Sequence, residues 1–247
     1  MFSLFQFLRS TVFTKIVMAV TGLMIVGFLA GHLLGNLLMF SGPEKINAYA
    51  FGLKSLGPIL WIVRLTLISA LGLHVWSSIK LSNRNRAARP IAYQEKKSLK
   101  STFASRTMMY SGLAILFFVI YHLLHYTFGL IQPQTYFDNS YTLKSGEVVH
   151  NVFNMVVAGF QNPFIALSYL FAIIFVSAHI SHSVSSASRT LGIHNPKYLA
   201  LTSRIGRALA AIFLIGYLSI PIAVFSGIIK PACDNTEACA AMKDCCK

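Results

Sequence analysis

Six of the eight histidines in this 247-residue chain lie inside long apolar stretches: His32, His74, His122, His125, His179 and His182. Imidazole is costly in hydrocarbon, so a histidine held there is a functional-site candidate by default. The stretch from Tyr110 to Leu130, YSGLAILFFVIYHLLHYTFGL, carries His122 and, one turn on, His125. Such residues offer a neutral nitrogen ligand. Two imidazoles at one depth on different helices can clamp a planar cofactor, as two axial histidines hold haem iron.

The elements that would position them are membrane spans. The chain is 55% hydrophobic and only 11% charged, which is foreign to a soluble domain of this size. Five apolar runs are expected as helices, at about 16–40, 58–81, 107–131, 163–188 and 205–229. At 1.5 Å per residue each is about 37 Å long, enough to cross with some tilt. Pro58 and Pro163 open two of them, Pro43, Pro133 and Pro231 follow the ends of three, and Pro221 inside the fifth should kink it. The first run is too long for a signal peptide and lacks a small-residue cleavage site. Residues 1–15 suit a short interfacial helix. The fold expected is an all-α integral membrane protein. Residues 1–230 form one domain, and the tail 231–247 contains all four cysteines.

The net charge of +14 does not argue for nucleic acid, because the basic residues sit in short loops. Arg9, Lys15, the eight from Lys80 to Arg106, and Arg189, Lys197, Arg204 and Arg207 fall on one side, 14 of the 21. The N-terminus and the 82–106 loop are therefore expected in the cytoplasm and the C-terminus outside. In the outer segment 132–162, VVHNVFNMVVAGF is expected as a surface helix with His150 at its start, a surface histidine rather than a ligand.

Depth pairs the histidines. His32 and His122 stand about 24 and 22 Å along their helices from the cytoplasmic ends, and His74 and His182 about 10 and 9 Å. Two levels with two imidazoles each would hold two haems b. His125 and His179, one turn outward of His122 and His182, satisfy depth equally well and remain rivals, or second contacts to a propionate, carbonyl or water. Gly22, Gly31, Gly35, Gly72, Gly112 and Ser111 could admit a macrocycle or bond a ring nitrogen, or simply pack helices. Arg64, the formal charge inside the spans away from their cytoplasmic ends, could pair with a propionate or quinone carbonyl, or snorkel. Arg106 is placed for a propionate or a partner subunit. The sequence has no Walker motif, GxSxG or HExxH, and no acidic residue within a span. The tail lacks CxxCH, so covalent haem attachment is not expected; disulfides there are permitted.

At these residues the sequence resembles the five-helix dihaem cytochrome b anchor of succinate dehydrogenases and quinol:fumarate reductases. The resemblance spans about residues 10–230. It is carried by GHLLGNLLMFSGPEKINAYA (31–50), LHVWSSIKLSNRNRAARP (73–90), FASRTMMYSG (103–112), YHLLHYTFGL (121–130), and the 156–198 region with VVAGFQNPF and HISHSVSSASRTLGIHNPKY. It implies a distal haem on His32 and His122 and a proximal haem on His74 and His182. Ser183 stands where the family has glycine after that last ligand. Ile180 stands where some members carry a proton-conducting glutamate, so the resemblance does not extend to that pathway. Glu44 is the nearest counterpart of a glutamate that serves quinol oxidation in some members. The resemblance further implies an FAD flavoprotein and an iron–sulfur subunit on the cytoplasmic face of a bacterial inner membrane, and a membrane quinone, menaquinone, as the redox partner. Complexes of this kind often form higher oligomers. A dihaem cytochrome b of a hydrogenase or formate dehydrogenase, and a histidine-using metal transporter, are the competing readings.

Overall fold

The computed structural model describes residues 4–89, 91, 101–137 and 139–232. The cysteine tail and Lys96, Lys97 and Lys100 of the basic loop lie outside them. Helix accounts for 81% of the described residues. Five helices are long and apolar enough to cross a membrane: Thr11–Ser41, Pro58–Ala87, Met108–Thr127, Pro163–Thr190 and Pro196–Phe225. Their apolar windows have mean hydropathies of 1.6 to 2.3, yet only 6% to 39% of those residues are buried by protein. Surface of that kind is unstable against water and is satisfied by acyl chains, which marks a multi-pass membrane protein.

Helix α1 (Leu4–Arg9) is shorter than expected, because Ser10 interrupts it and caps the next helix, accepting from the Phe13 N–H at 3.1 Å. Helix α2 (Thr11–Leu37) therefore begins five residues before the expected span and ends in a 3-10 turn, Leu38–Ser41. Gly42 at φ 90° turns the chain where a side chain would be strained, and α3 (Pro43–Ser55) follows. Then come α4 (Pro58–Ala87), α5 (Phe103–Arg106) and α6 (Met108–His122). A π turn, Leu123–Thr127, closes the third span, with the Phe128 N–H donating to the Leu123 carbonyl at 2.9 Å.

After α7 (Pro133–Phe137) the segment between the third and fourth spans departs from expectation. A two-stranded antiparallel ribbon forms from β1 (Ser140–Thr142) and β2 (Val148–His150), pairing Tyr141 with Val149. Helix α8 (Val152–Gln161) starts only after it, because Asn151 caps it by accepting from the Asn154 N–H at 3.1 Å. It is packed into protein rather than laid on a surface: Val157 is fully buried, and Phe153, Met155 and Phe160 nearly so. Helices α9 (Pro163–Thr190) and α10 (Pro196–Phe225) complete the chain. Helix α10 starts nine residues before the expected span and runs through Pro221. Five helices, α3, α4, α7, α9 and α10, open with proline, whose fixed φ suits a first turn where its missing N–H has no intrahelical partner.

The chain forms two compact units. The first comprises 1–30, 61–114 and 175–212. Its interior is lined with small and hydroxylic residues, Thr14, Ala19, Thr21, Ala70, Ser77, Ser111, Ser177 and Ser185. Several of these hydroxyls donate to their own helix, as Thr21 Oγ1 does to the Val17 carbonyl at 2.7 Å, so they can be buried in an apolar medium. The second comprises 31–60, 115–174 and 213–247. Its core is apolar, with Met39, Ile46, Val157, Phe160, Tyr169 and Ile220 among its buried members. Polar ties are buried with it. Asn47 donates to Asn151 Oδ1 at 3.2 Å and accepts from the Phe153 N–H at 3.1 Å.

Candidate functional site

Each unit holds one pair of histidine rings. In the second unit, His32 on α2 and His122 at the end of α6 have ring centres 5.9 Å apart and planes at 82°. His122 Nδ1 lies 3.2 Å from the Tyr169 hydroxyl. In the first unit, His74 on α4 and His179 on α9 have ring centres 6.4 Å apart and planes at 65°. His74 Nδ1 lies 3.0 Å from the Met18 carbonyl and 3.4 Å from Thr21 Oγ1. His179 Nδ1 lies 3.1 Å from Ser111 Oγ.

The ring set against His74 is thus that of His179, where depth and resemblance expected His182. Depth fixes distance along a helix and leaves its rotation open. His182 lies three residues on from His179, about 60° away around α9. It is half-buried, and its carbonyl accepts from Ser185 at 3.1 Å.

His125 is placed differently from the other five. Its ring is buried and stacked on Tyr126 at 3.9 Å. Both nitrogens are engaged by protein: Nδ1 with the Tyr169 hydroxyl at 3.1 Å and Nε2 with Gln132 Oε1 at 3.0 Å. It supports His122 and has no nitrogen left for a metal.

These pairs fit haem on four observations. Two imidazoles each bonded to one metal through a ring nitrogen at about 2 Å would set their ring centres on the order of 6 Å apart, close to the 5.9 and 6.4 Å found here. His74, His122 and His179 each spend Nδ1 on protein, which leaves Nε2, and such a bond fixes ring orientation and tautomer. Gly22 is required beside His74, since a Cβ there would lie 3.0 Å from the ring's Cε1. Among the described residues, the buried side-chain hydroxyls without a partner are Ser77, Tyr126 and Ser177. They stand three residues after His74, four after His122 and two before His179. Buried hydroxyls are normally satisfied, so Ser77 and Tyr126, one turn from His74 and His122, could meet a polar group brought by a cofactor, whereas Ser177, two residues from His179, lies on the opposite face of α9.

The remaining expected residues divide. Ser111 bonds His179, and the Cβ position of Gly112 lies 3.5 Å from the same ring. Gly35 lies under the Tyr49 ring. A Cβ added at Gly31 or Gly72 would meet no atom within 4 Å. Arg64 lies over the Trp61 ring at 5.0 Å. Arg106 is exposed and donates to the Ser101 carbonyl at 2.8 Å. Glu44 spends both oxygens on the β1–β2 hairpin, accepting from the Tyr141 hydroxyl at 3.2 Å and the Lys144 N–H at 3.0 Å. His150 is half-buried against the Tyr136 ring and lines a cavity of about 330 Å³ with Lys54. Burial, and then the Lys54 charge, hold its pKa below 6.5. Sequence reasoning missed Tyr169, Gln132, Met18 and Thr21. Tyr169 carried a signal, since a tyrosine in an apolar span needs a partner for its hydroxyl. No family model, curated protein or solved structure matches the chain.

Proposed function

We propose that the chain is the membrane-anchor cytochrome b of a succinate:quinone oxidoreductase, succinate dehydrogenase or fumarate reductase. It binds one haem b between His32 and His122 and a second between His74 and His179. The observation that carries this is the presence of two histidine pairs with ring centres 5.9 and 6.4 Å apart. When bound, the haems supply one-electron carriage within the membrane. The residues orient the rings: Met18 and Thr21 hold His74, Ser111 holds His179, and Tyr169 holds His122. The apolar helices exclude water and so help set the potentials. The family motifs supply the rest of the assignment: an iron–sulfur subunit and an FAD flavoprotein as partners, and a quinone, menaquinone, as electron acceptor or donor. Glu44 is already bonded through both oxygens, so a quinone role for it requires opening the Tyr141 and Lys144 contacts.

A dithionite-minus-oxidised spectrum with pyridine haemochrome quantitation on the purified full chain tests the reading. Two low-spin haems b per chain are expected. None in a folded chain refutes it. Metal flux without a Soret band would establish a transporter instead, although two-histidine sets suit a macrocycle better than a bare ion. Co-purification with iron–sulfur and FAD subunits and succinate–quinone activity distinguishes this cytochrome from one serving a hydrogenase or formate dehydrogenase.

A further inference from the structure

We propose that Gln132, acting through His125 and Tyr169, fixes which nitrogen of His122 carries the proton. This deepens the reading above and rests on it for its consequence at the metal. The chain of contacts is continuous: Gln132 Oε1 to His125 Nε2 at 3.0 Å, His125 Nδ1 to the Tyr169 oxygen at 3.1 Å, and that oxygen to His122 Nδ1 at 3.2 Å. Each link decides the next. An amide oxygen only accepts, so His125 Nε2 donates. A neutral imidazole has a single N–H, and an imidazolium is costly in hydrocarbon, so His125 Nδ1 accepts. Its donor is the Tyr169 O–H. With that proton committed, the Tyr169 oxygen accepts from His122 Nδ1–H. His122 is left with a lone pair on Nε2, the form that binds a metal.

The local fold holds the relay in place. Gln132 immediately precedes Pro133 of α7, and its carbonyl accepts from Thr135 Oγ1 at 2.9 Å and the Tyr136 N–H at 3.2 Å. The π turn that begins just after His122 carries His125 to the same hydroxyl that His122 uses. A donor-only side chain at 132 would reverse every link and place the proton on His122 Nε2. Gln132, His125 and Tyr169 are positioning residues.

The test uses the full chain, ¹⁵N-labelled at histidine, in lipid nanodiscs, reduced so that bound low-spin haem is diamagnetic. The unaltered chain is expected to show His122 protonated at Nδ1 and His125 at Nε2. Gln132→Glu keeps an acceptor and both tautomers. Gln132→Lys moves the His122 proton to Nε2 and weakens retention of the His32–His122 haem, while the other haem stays. Tyr169→Phe removes the acceptor from His122 and makes it a poorer donor to ferric iron. The oxidised-to-reduced ratio of that haem at fixed ambient potential then falls several-fold, a tenfold change being 59 mV for one electron. His125 protonated at Nδ1 in the unaltered chain overturns the relay, as does Gln132→Lys behaving like Gln132→Glu in tautomer and haem retention. Should Gln132→Lys fail to fold, the tautomers of the unaltered chain and Tyr169→Phe decide. The expected tautomers in a chain that binds no haem would keep the relay and remove the cofactor reading.

Discussion

Gly22→Ala is the sharpest perturbation of the His74–His179 pair. The added methyl would stand 3.0 Å from His74 Cε1 and 3.2 Å from Nδ1, where carbon contacts settle at about 3.5–4.0 Å. The ring must give by a few tenths of an ångström. That displacement lengthens its 3.0 Å bond to the Met18 carbonyl toward the limit of a hydrogen bond. Losing that bond costs about 0.5–1.5 kcal/mol, and overpacking a fitted site about 1–3 kcal/mol. The sum, about 1.5–4.5 kcal/mol, is a factor of roughly 10 to 2,000 in cofactor retention. The assay is the rate at which haem leaves the purified chain for an excess of haem-scavenging apoprotein, followed in the Soret band. Gly27→Ala is the matched control on the same helix, because its Cβ would meet nothing within 4 Å. It should be neutral, or gain up to about 1 kcal/mol of helix propensity. If Gly22→Ala releases haem no faster than Gly27→Ala, the close approach of α2 to His74 does not shape the site.

Other outcomes separate the remaining assignments. His179→Ala should lose one haem and His182→Ala neither, counted by pyridine haemochrome; the reverse result would restore the depth-based pairing. Asn47→Leu orphans the Phe153 N–H and breaks the bond to Asn151, at about 1–3 kcal/mol per orphaned group. Thermal unfolding in detergent should therefore begin in the segment between the third and fourth spans, read as early proteolysis between α7 and α8. His150 has a folded-state pKa below its unfolded value, so the unfolded chain binds the extra proton. Its contribution is fully present above pH 6.5 and is lost as pH falls from there toward the lowered folded value. His150→Gln should flatten that slope in hydrogen-exchange protection of the β1–β2 ribbon, and an unchanged slope would assign the effect elsewhere.

How much could be read beforehand depended on what the physics encodes locally. Hydropathy is additive along a chain, so the five spans were legible to within a few residues at most ends. The exceptions are instructive. Helix α10 begins at Pro196 because Lys197, Arg204 and Arg207 are good helix formers even where they are too polar for hydrocarbon. The pairing of His32 with His122 followed from depth, because both helices happen to turn those residues inward. The same argument left His182 and His179 as rivals, since depth carries no information on rotation about a helix, and the resemblance favoured His182. The π turn after His122 was not legible either. It depends on what α6 packs against, and it brings His125 to Tyr169 and so makes a support of a rival ligand. The ribbon of β1 and β2 escaped because three-residue strands give too little alternation to read.

The prolines that open α4, α9 and α10 have a consequence for the bilayer itself. An apolar helix without a fixed start can answer a thinner or thicker membrane by fraying or adding a turn. Here the first residue of three spans is set by chemistry instead of by where the hydrocarbon begins, because the ring fixes φ and denies the preceding residue a helical conformation. Membrane thickness must then be met by tilt or by local deformation of the lipid. The register of His74 and His179 within their helices, and with it the spacing of their rings, is insulated from the membrane in which the chain resides.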